Sequence, residues 1–107
     1  MKTETKSSVR LFAALGDENR LRLVSRLCHA GPMSITRLSQ GSKVTRQAIT
    51  KHLRVMEKGG LVRGARCGRE KIWELDQRRL EDARRYLDRI SEQWDGALAR
   101  LRAFVED

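Results

Sequence analysis

The feature that most constrains this chain is one apolar line near its C-terminal end. Leu80, Ala83, Leu87, Ile90, Trp94, Ala97, Leu101 and Phe104 follow one another in alternating steps of three and four. That spacing keeps returning to one face of an α-helix and forms a heptad seam over four repeats. It predicts a single helix from about Gln77 to Val105, roughly 28 residues and ~40 Å long at ~1.5 Å per residue. The acids of this segment are interleaved with Arg84, Arg85 and Arg89, as on a solvated helix face. A chain of 107 residues has little other surface with which to cover such a seam. The helix can pack on the rest of its own chain or pair with a second copy, and its length favours the second.

Upstream, breakers divide the sequence into short pieces. Residues 1–7 are polar and read as a disordered tail. A first helix is expected from about Ser8 to Leu15, with Val9, Phe12 and Ala13 on one face. Gly16 breaks it, and the Asp17 carboxylate can cap a second helix over Glu18–His29 that carries Leu21, Val24, Leu27 and Cys28 on one face. Ala30-Gly31-Pro32 ends that helix. Ser34 caps a short third helix, Ile35–Gln40, with Leu38 pointing inward. After a turn at Gly41-Ser42-Lys43, Thr45 caps a fourth helix, Arg46–Lys58, whose buried stripe is Ala48, Ile49, Leu53 and Met56. Two short helices across a glycine-containing turn make a helix-turn-helix. Past Gly59-Gly60 the period changes to that of strands, Leu61–Arg66 and Lys71–Leu75 around Cys67-Gly68-Arg69-Glu70, a hairpin placed as a wing. The fold expected is mainly α with a small β-hairpin (α+β): a winged helix-turn-helix of five helices and a two-stranded wing, one domain over residues 8–107.

The formal net charge is +9, and its distribution says more than its size. Arg37–Lys71 holds ten Lys/Arg against two acids, a net +8, while the segments before and after carry +3 and −2. A basic middle between near-neutral ends is an electrostatic footprint for phosphates, which a uniformly basic surface would not give. No 18-residue apolar stretch is present, so no membrane partner is expected. The polar start, Met1–Ser8, has no apolar core of a secretory signal, and two cysteines are too few for a disulfide framework. These features together predict a cytoplasmic protein.

On the expected fourth helix, Arg46, Gln47 and Thr50 are the candidates for reading bases. Arg can fork onto guanine O6/N7 and Gln onto adenine N6/N7, and the first turn is the part of this motif that meets base edges. Thr45, Lys51, His52 and Arg54 are candidates for phosphate contacts, as are the wing cations Arg63, Arg66, Arg69 and Lys71. His52 can alternatively brace the helix. Cys28 reads as a small buried hydrophobe, and Cys67 as an exposed wing residue between arginines. No nucleophile–base set, paired-carboxylate pocket, phosphate-cradling glycine loop or His/Cys cluster appears, so neither catalysis nor a metal or other cofactor is expected.

The run Phe12-Ala13-Ala14-Leu15-Gly16-Asp17-Glu18-Asn19-Arg20-Leu21-Arg22-Leu23-Val24 resembles the N-terminal signature of ArsR-type regulators. Val44-Thr45-Arg46-Gln47-Ala48-Ile49-Thr50-Lys51-His52-Leu53 is similar to that family's recognition helix, and Gly59-Gly60-Leu61-Val62 and Gly68-Arg69 to its wing. The likeness extends from about Val9 to Phe104. It implies a dimer whose interface is built from the first and last helices, here Val9, Phe12, Leu80, Leu87, Ile90, Trp94, Leu101 and Phe104. It also implies a repressor of transcription released by a metal, a redox signal or another cue. The family's metal sensors carry Cys-x-Cys before the recognition helix, or Asp and His on the last helix. Here Ser34–Gln40 has no thiol and the last helix no histidine. Gln93-Trp94-Asp95-Gly96-Ala97-Leu98-Ala99-Arg100-Leu101 instead resembles a metal-free subgroup that is often self-repressing. The expected partners are thus double-stranded DNA and a second copy of the chain, with the inducer left open. A protein-interaction module, or a nonspecific or RNA-binding winged helix, remain the alternatives.

Overall fold

The computed structural model describes residues 2–106, with side chains from residue 6 to 106. The elements run α1 (Lys2–Leu15), α2 (Glu18–Ala30), β1 (Met33–Ser34), α3 (Ile35–Ser39), α4 (Arg46–Lys58), β2 (Val62–Cys67), β3 (Glu70–Leu75) and α5 (Gln77–Glu106). Each cap read from the sequence is in place. The Asp17 carboxylate accepts from the backbone N–H of Asn19 at 2.9 Å and of Arg20 at 3.2 Å. Ser34 Oγ accepts from Arg37 N–H at 3.3 Å, and Thr45 Oγ1 from Ala48 N–H at 3.2 Å. Each hydroxyl or carboxylate satisfies helix donors that would otherwise lack a partner.

The core gathers one to three side chains from every element. Leu11 and Ala14 come from α1, Leu23 and Leu27 from α2, Leu38 from α3, Ile49, Leu53 and Met56 from α4, and Trp73 from β3. Three arginines hold the pieces in register by donating to backbone carbonyls of other segments. Arg20 Nε reaches Ala14 O at 2.6 Å, and Arg79 Nη2 reaches Ser7 O at 3.0 Å. Arg26, from α2, donates to Leu38 O at 2.6 Å, Arg37 O at 3.0 Å and, more distantly, Gln40 O at 3.4 Å. It thereby closes the C-terminal end of α3 and the start of the turn.

The wing follows the expected hairpin, with β2 and β3 antiparallel from Val62↔Leu75 to Cys67↔Glu70. The two-residue loop Gly68-Arg69 has positive φ only at its first position, +65° at Gly68, as a type II′ turn requires. A third strand was not anticipated. β1 pairs antiparallel with β3 through Met33↔Trp73 and Ser34↔Ile72, giving the order β1-β3-β2. Two residues after a proline are too few to carry a period.

Four local expectations are corrected. Helix α1 begins at Lys2, so most of the expected tail is helical backbone: nothing between Lys2 and Ser8 breaks a helix. Its inward residues are Leu11 and Ala14; Phe12 is half-buried and Val9 is 62% exposed, on the far side of the helix from Leu11. On α2 the buried pair is Leu23 and Leu27, one turn apart, which turns Leu21 and Cys28 outward. Cys28 is therefore exposed rather than a core hydrophobe. Ala48 is half-buried beside the Ile49–Leu53–Met56 stripe.

Helix α5 starts on the body and then leaves it. Leu80 and Ala83 pack against the core, and the Tyr86 ring meets Phe12 at 5.7 Å between centroids. Beyond that contact the seam is open: Leu87 is 51% exposed, Trp94 64% and Phe104 81%. The molecule measures 67 × 29 × 20 Å with a radius of gyration of 18.0 Å, against about 13 Å for a compact domain of this length. No helix among the described residues is long and apolar enough to cross a membrane.

Candidate nucleic-acid interface

Burial of Ile49, Leu53 and Met56 fixes which way α4 can face. Gln47, Lys51, Arg54 and Lys58 share the opposite side at helical spacing, and Arg46 and Thr50 stand on the adjoining flank. The side chains of Arg46, Gln47, Lys51 and Arg54 are exposed and, among the described residues, make no hydrogen bond or ion pair. Guanidinium and amide groups left in solvent at the start of a helix suit an external acceptor, and the positive end of the helix dipole adds to their attraction for an anion. Thr45 uses its oxygen as acceptor for the cap, so its O–H stays available to donate to a phosphate. Thr50 is arranged the other way: its O–H donates to Arg46 O at 3.0 Å, which leaves lone pairs to accept from a base amino group.

His52 is placed differently from the rest of the candidate set. It is half-buried on the flank of α4 that faces α2, and it lines a cavity there with Asn19 and Arg22. The Arg20 backbone N–H, joined by that of Asn19 and by the nearby charges of His52 and Arg20, holds the Asp17 carboxyl below the usual aspartate range. This position suits the bracing role rather than an outward contact.

The wing divides its cations in two. Arg63 Nε is bonded to Glu74 Oε1 at 2.8 Å across the directly opposed pair Arg63↔Glu74, so its charge is met within the hairpin. Nearer the tip, Arg66 and Lys71 are directly opposed like charges, and Arg69 sits in the turn. Like charges in a cross-strand pair destabilise a sheet unless an anion lies between or over them. Lys71 lays its ammonium 4.6 Å above the centre of the Trp73 ring, over the gap left by Gly64. A Cβ on Gly64 would approach Lys71 Cε to 2.4 Å and Trp73 to 3.3 Å. Cys67 is exposed beside this cluster and unbridged, as is Cys28.

Two cations outside the expected set belong to the same surface. Lys58 extends the outer face of α4, and its spacing of four from Arg54 is the signal that could have found it. Lys43, in the turn, is exposed and unpaired. Arg26 contributes by position, fixing the α3 end from which α4 departs; twelve residues separate it from Leu38, and no local pattern marks such a contact. Among the described residues no group of three His, Cys, Asp or Glu could hold a metal ion.

A family profile described as a helix-turn-helix domain matches residues 15–65. The chain is 34% identical over 101 residues to the HTH-type transcriptional regulator Rv2034 of Mycobacterium tuberculosis (strain ATCC 25618 / H37Rv), covering 94% of this chain and 91% of that protein. Its fold matches an ArsR-like transcriptional regulator from Rhodococcus sp. RHA1 with a TM-score of 0.80 at 34% identity, covering 94% and 93% of the two chains. It also shares the fold of Mb0332 from Mycobacterium bovis, described as a homodimeric winged helix-turn-helix DNA-binding domain and a possible ArsR-family regulator. There the TM-score is 0.64 at 20% identity, over 85% of this chain and 81% of that one. With its helix-turn-helix, its wing and a relative matched along nearly its whole length, this chain belongs to the ArsR-type winged helix-turn-helix transcriptional regulators.

Proposed function

We propose that the protein is a homodimeric repressor that reads an inverted-repeat operator in double-stranded DNA. The observation that carries this reading is the outer face of α4, where the side chains of Arg46, Gln47, Lys51 and Arg54 have no partner among the described residues. In this reading Arg46, Gln47 and Thr50 meet base edges, and Thr45, Lys51, Arg54, Arg66, Arg69 and Lys71 hold phosphates. Arg63 is weakened as a phosphate ligand by Glu74, and His52 acts from behind the helix. The body from residue 8 onward acts as one unit that both binds DNA and dimerises. The open seam of α5, with Phe12 beside it and Val9 exposed on α1, supplies the dimer face, and the homodimeric description of Mb0332 supports a dimer without specifying its interface. Two copies of α4 would enter successive major grooves ~34 Å apart. The activity is binding rather than catalysis, in line with relatives named as regulators, and it belongs where chromosomal DNA is, in the cytoplasm.

Selection of a bound sequence from a random duplex pool, followed by fluorescence anisotropy, tests the reading. The expected product is an inverted repeat with half-sites about one helical turn apart, bound by a dimer. Enrichment of no sequence would reduce the protein to a nonspecific nucleic-acid binder. Equal affinity for duplex RNA, whose deep major groove closes out side chains, would move it to the RNA class.

A further inference from the structure

Behind the recognition helix lies a cavity of about 350 Å³ whose lining shares Lys43 with the candidate DNA surface and is otherwise set back from it. Its floor is apolar and draws on four pieces of the motif: Leu23 from α2, Leu38 from α3, Val44 from the turn and Ile49 from α4. Asn19, Lys43 and His52 stand around it, and none of the three side chains is hydrogen-bonded among the described residues. Two more cations contribute to the lining but are already engaged. Arg22 pairs with Glu18 at 2.6 Å, and Arg26 is bonded to the α3 carbonyls. No carboxylate lines the cavity. Its size falls at the small end of ligand pockets, and a mostly apolar wall with a few convergent polar groups is how such pockets are built.

The composition selects the ligand. An apolar floor needs a flat or branched hydrocarbon body. An amide, an ammonium and an imidazole, with no carboxylate among the lining residues although Asp17 lies near His52 and Glu18 is paired to Arg22, suit one anionic head with several acceptor lone pairs. We propose that this cavity is an effector site for a small apolar carboxylate, and that occupancy changes DNA affinity. Val44 directly precedes Thr45, the cap of α4, and Ser42 Oγ holds the turn by accepting from Val44 N–H at 3.1 Å. Ile49 and His52 lie on the inner side of α4 itself. A ligand seated between α2 and these residues therefore bears on the angle at which Arg46 and Gln47 are presented. Coupling of this kind is reciprocal: DNA changes the ligand's affinity by the same factor that the ligand changes DNA's. The regulatory half of the proposal rests on the DNA-binding reading; the binding half does not.

The experiment is an amide-resolved NMR titration of the full chain with sodium benzoate and sodium 1-naphthoate, with benzamide and 1-naphthamide as uncharged partners and sodium chloride held constant. The expected result is saturable shifts confined to residues around Asn19, Lys43, Val44 and Ile49, with a carboxylate at least about tenfold tighter than its amide. Lys43→Glu, a change at an exposed side chain, should weaken carboxylate binding by a similar factor while leaving the rest of the spectrum in place. Val44→Trp should fill the cavity and abolish binding of both classes. Neither carboxylate shifting these residues up to about 10 mM, a tenfold margin beyond millimolar affinity, would overturn the site. Equal binding of acid and amide would overturn the chemical class. With the selected operator, saturating carboxylate should change DNA affinity by at least about fivefold, and the operator should change carboxylate affinity by the same factor. Carboxylate binding without that coupling would overturn the effector role. A protein that binds no duplex would instead defeat the DNA reading, and the titration would still decide whether the site exists.

Discussion

Helices α4 and α5 are both amphipathic, yet they end in opposite situations. In α4 the stripe Ile49, Leu53 and Met56 is fully buried by the same chain, and the polar side is left open. In α5 the apolar line is met only at its start, by Leu80 and Ala83; from Leu87 to Phe104 it stays open while the charged side is equally exposed. A period of 3.6 or 3.5 residues says that a face must be buried somewhere, and it is silent on which molecule does the burying. What separates the two helices is reach. Thirteen residues of α4 lie within the body, whereas the thirty of α5 carry its far end well beyond it, along the 67 Å axis.

The strongest way to break the comparison is to charge the open seam. Leu87→Asp with Ile90→Asp removes two side chains worth about 1.5–3 kcal/mol each on full burial, a loss of roughly 3–6 kcal/mol to the dimer. Light scattering should report monomer or unfolded protein, and a well-folded dimeric double variant would end the idea that α5 is half of an interface. In the closed seam, Leu53→Ala should cost about 2–5 kcal/mol in urea unfolding, through lost burial and the cavity left behind. The molecules that remain folded should still be dimeric; a dissociated but fully stable variant would mean that the two seams are not independent.

The polar faces can be separated in the same way, with smaller effects. Arg46→Ala should lose about 1–3 kcal/mol on the selected operator and relax specificity at one base position, with little change on random duplex. Arg69→Ala should weaken every duplex alike and lower the slope of log affinity against log salt by about one. Anisotropy across a salt series distinguishes them, and an equal loss for Arg46→Ala on both duplexes would move that residue to the phosphate group. The smallest effect is expected at the start of α2. Asp17→Ala should lower stability slightly through the lost cap. Because the folded carboxyl is held below its ordinary value, the contribution is complete above about pH 4 and disappears as pH falls through the folded pKa. Variant and parent should therefore converge in stability in acid, and a difference unchanged at low pH would show that the charge is not what stabilises the helix end.

Much of this architecture was legible because its signals are local. Asp17, Ser34 and Thr45 mark helix starts by side-chain chemistry that acts over two or three residues, and all three caps form as read. The hairpin was legible from the glycine in its turn and the change of period around it. The parts not legible are those settled at a distance. β1 exists because β3 offers Met33 and Ser34 an edge. The arginine brackets at Ala14, Leu38 and Ser7 join residues 6, 12 and 72 positions apart. Which side of α1 and α2 turns inward also depends on the other helices: Leu11 and Leu23 won over Val9 and Leu21, although the sequence offers both pairs as apolar. Within the candidate site the residue types on α4 were readable from helical spacing. The Arg63–Glu74 pair and the inward setting of His52 depended on strand register and on α2.

The solitude of the outer α4 side chains has a consequence for how such a protein can change over generations. The side chains of Arg46, Gln47, Lys51 and Arg54 bond to nothing among the described residues, so replacing them should leave folding stability within about 0.5 kcal/mol. The inner side of the same helix, Ile49, Leu53 and Met56, admits no such freedom. A duplicated copy could therefore drift to a new DNA address through a handful of neutral-to-folding steps, keeping its scaffold intact. In the proposed reading, where Arg46 and Gln47 meet base edges, the same separation makes those two positions a compact library for retargeting the protein in the laboratory.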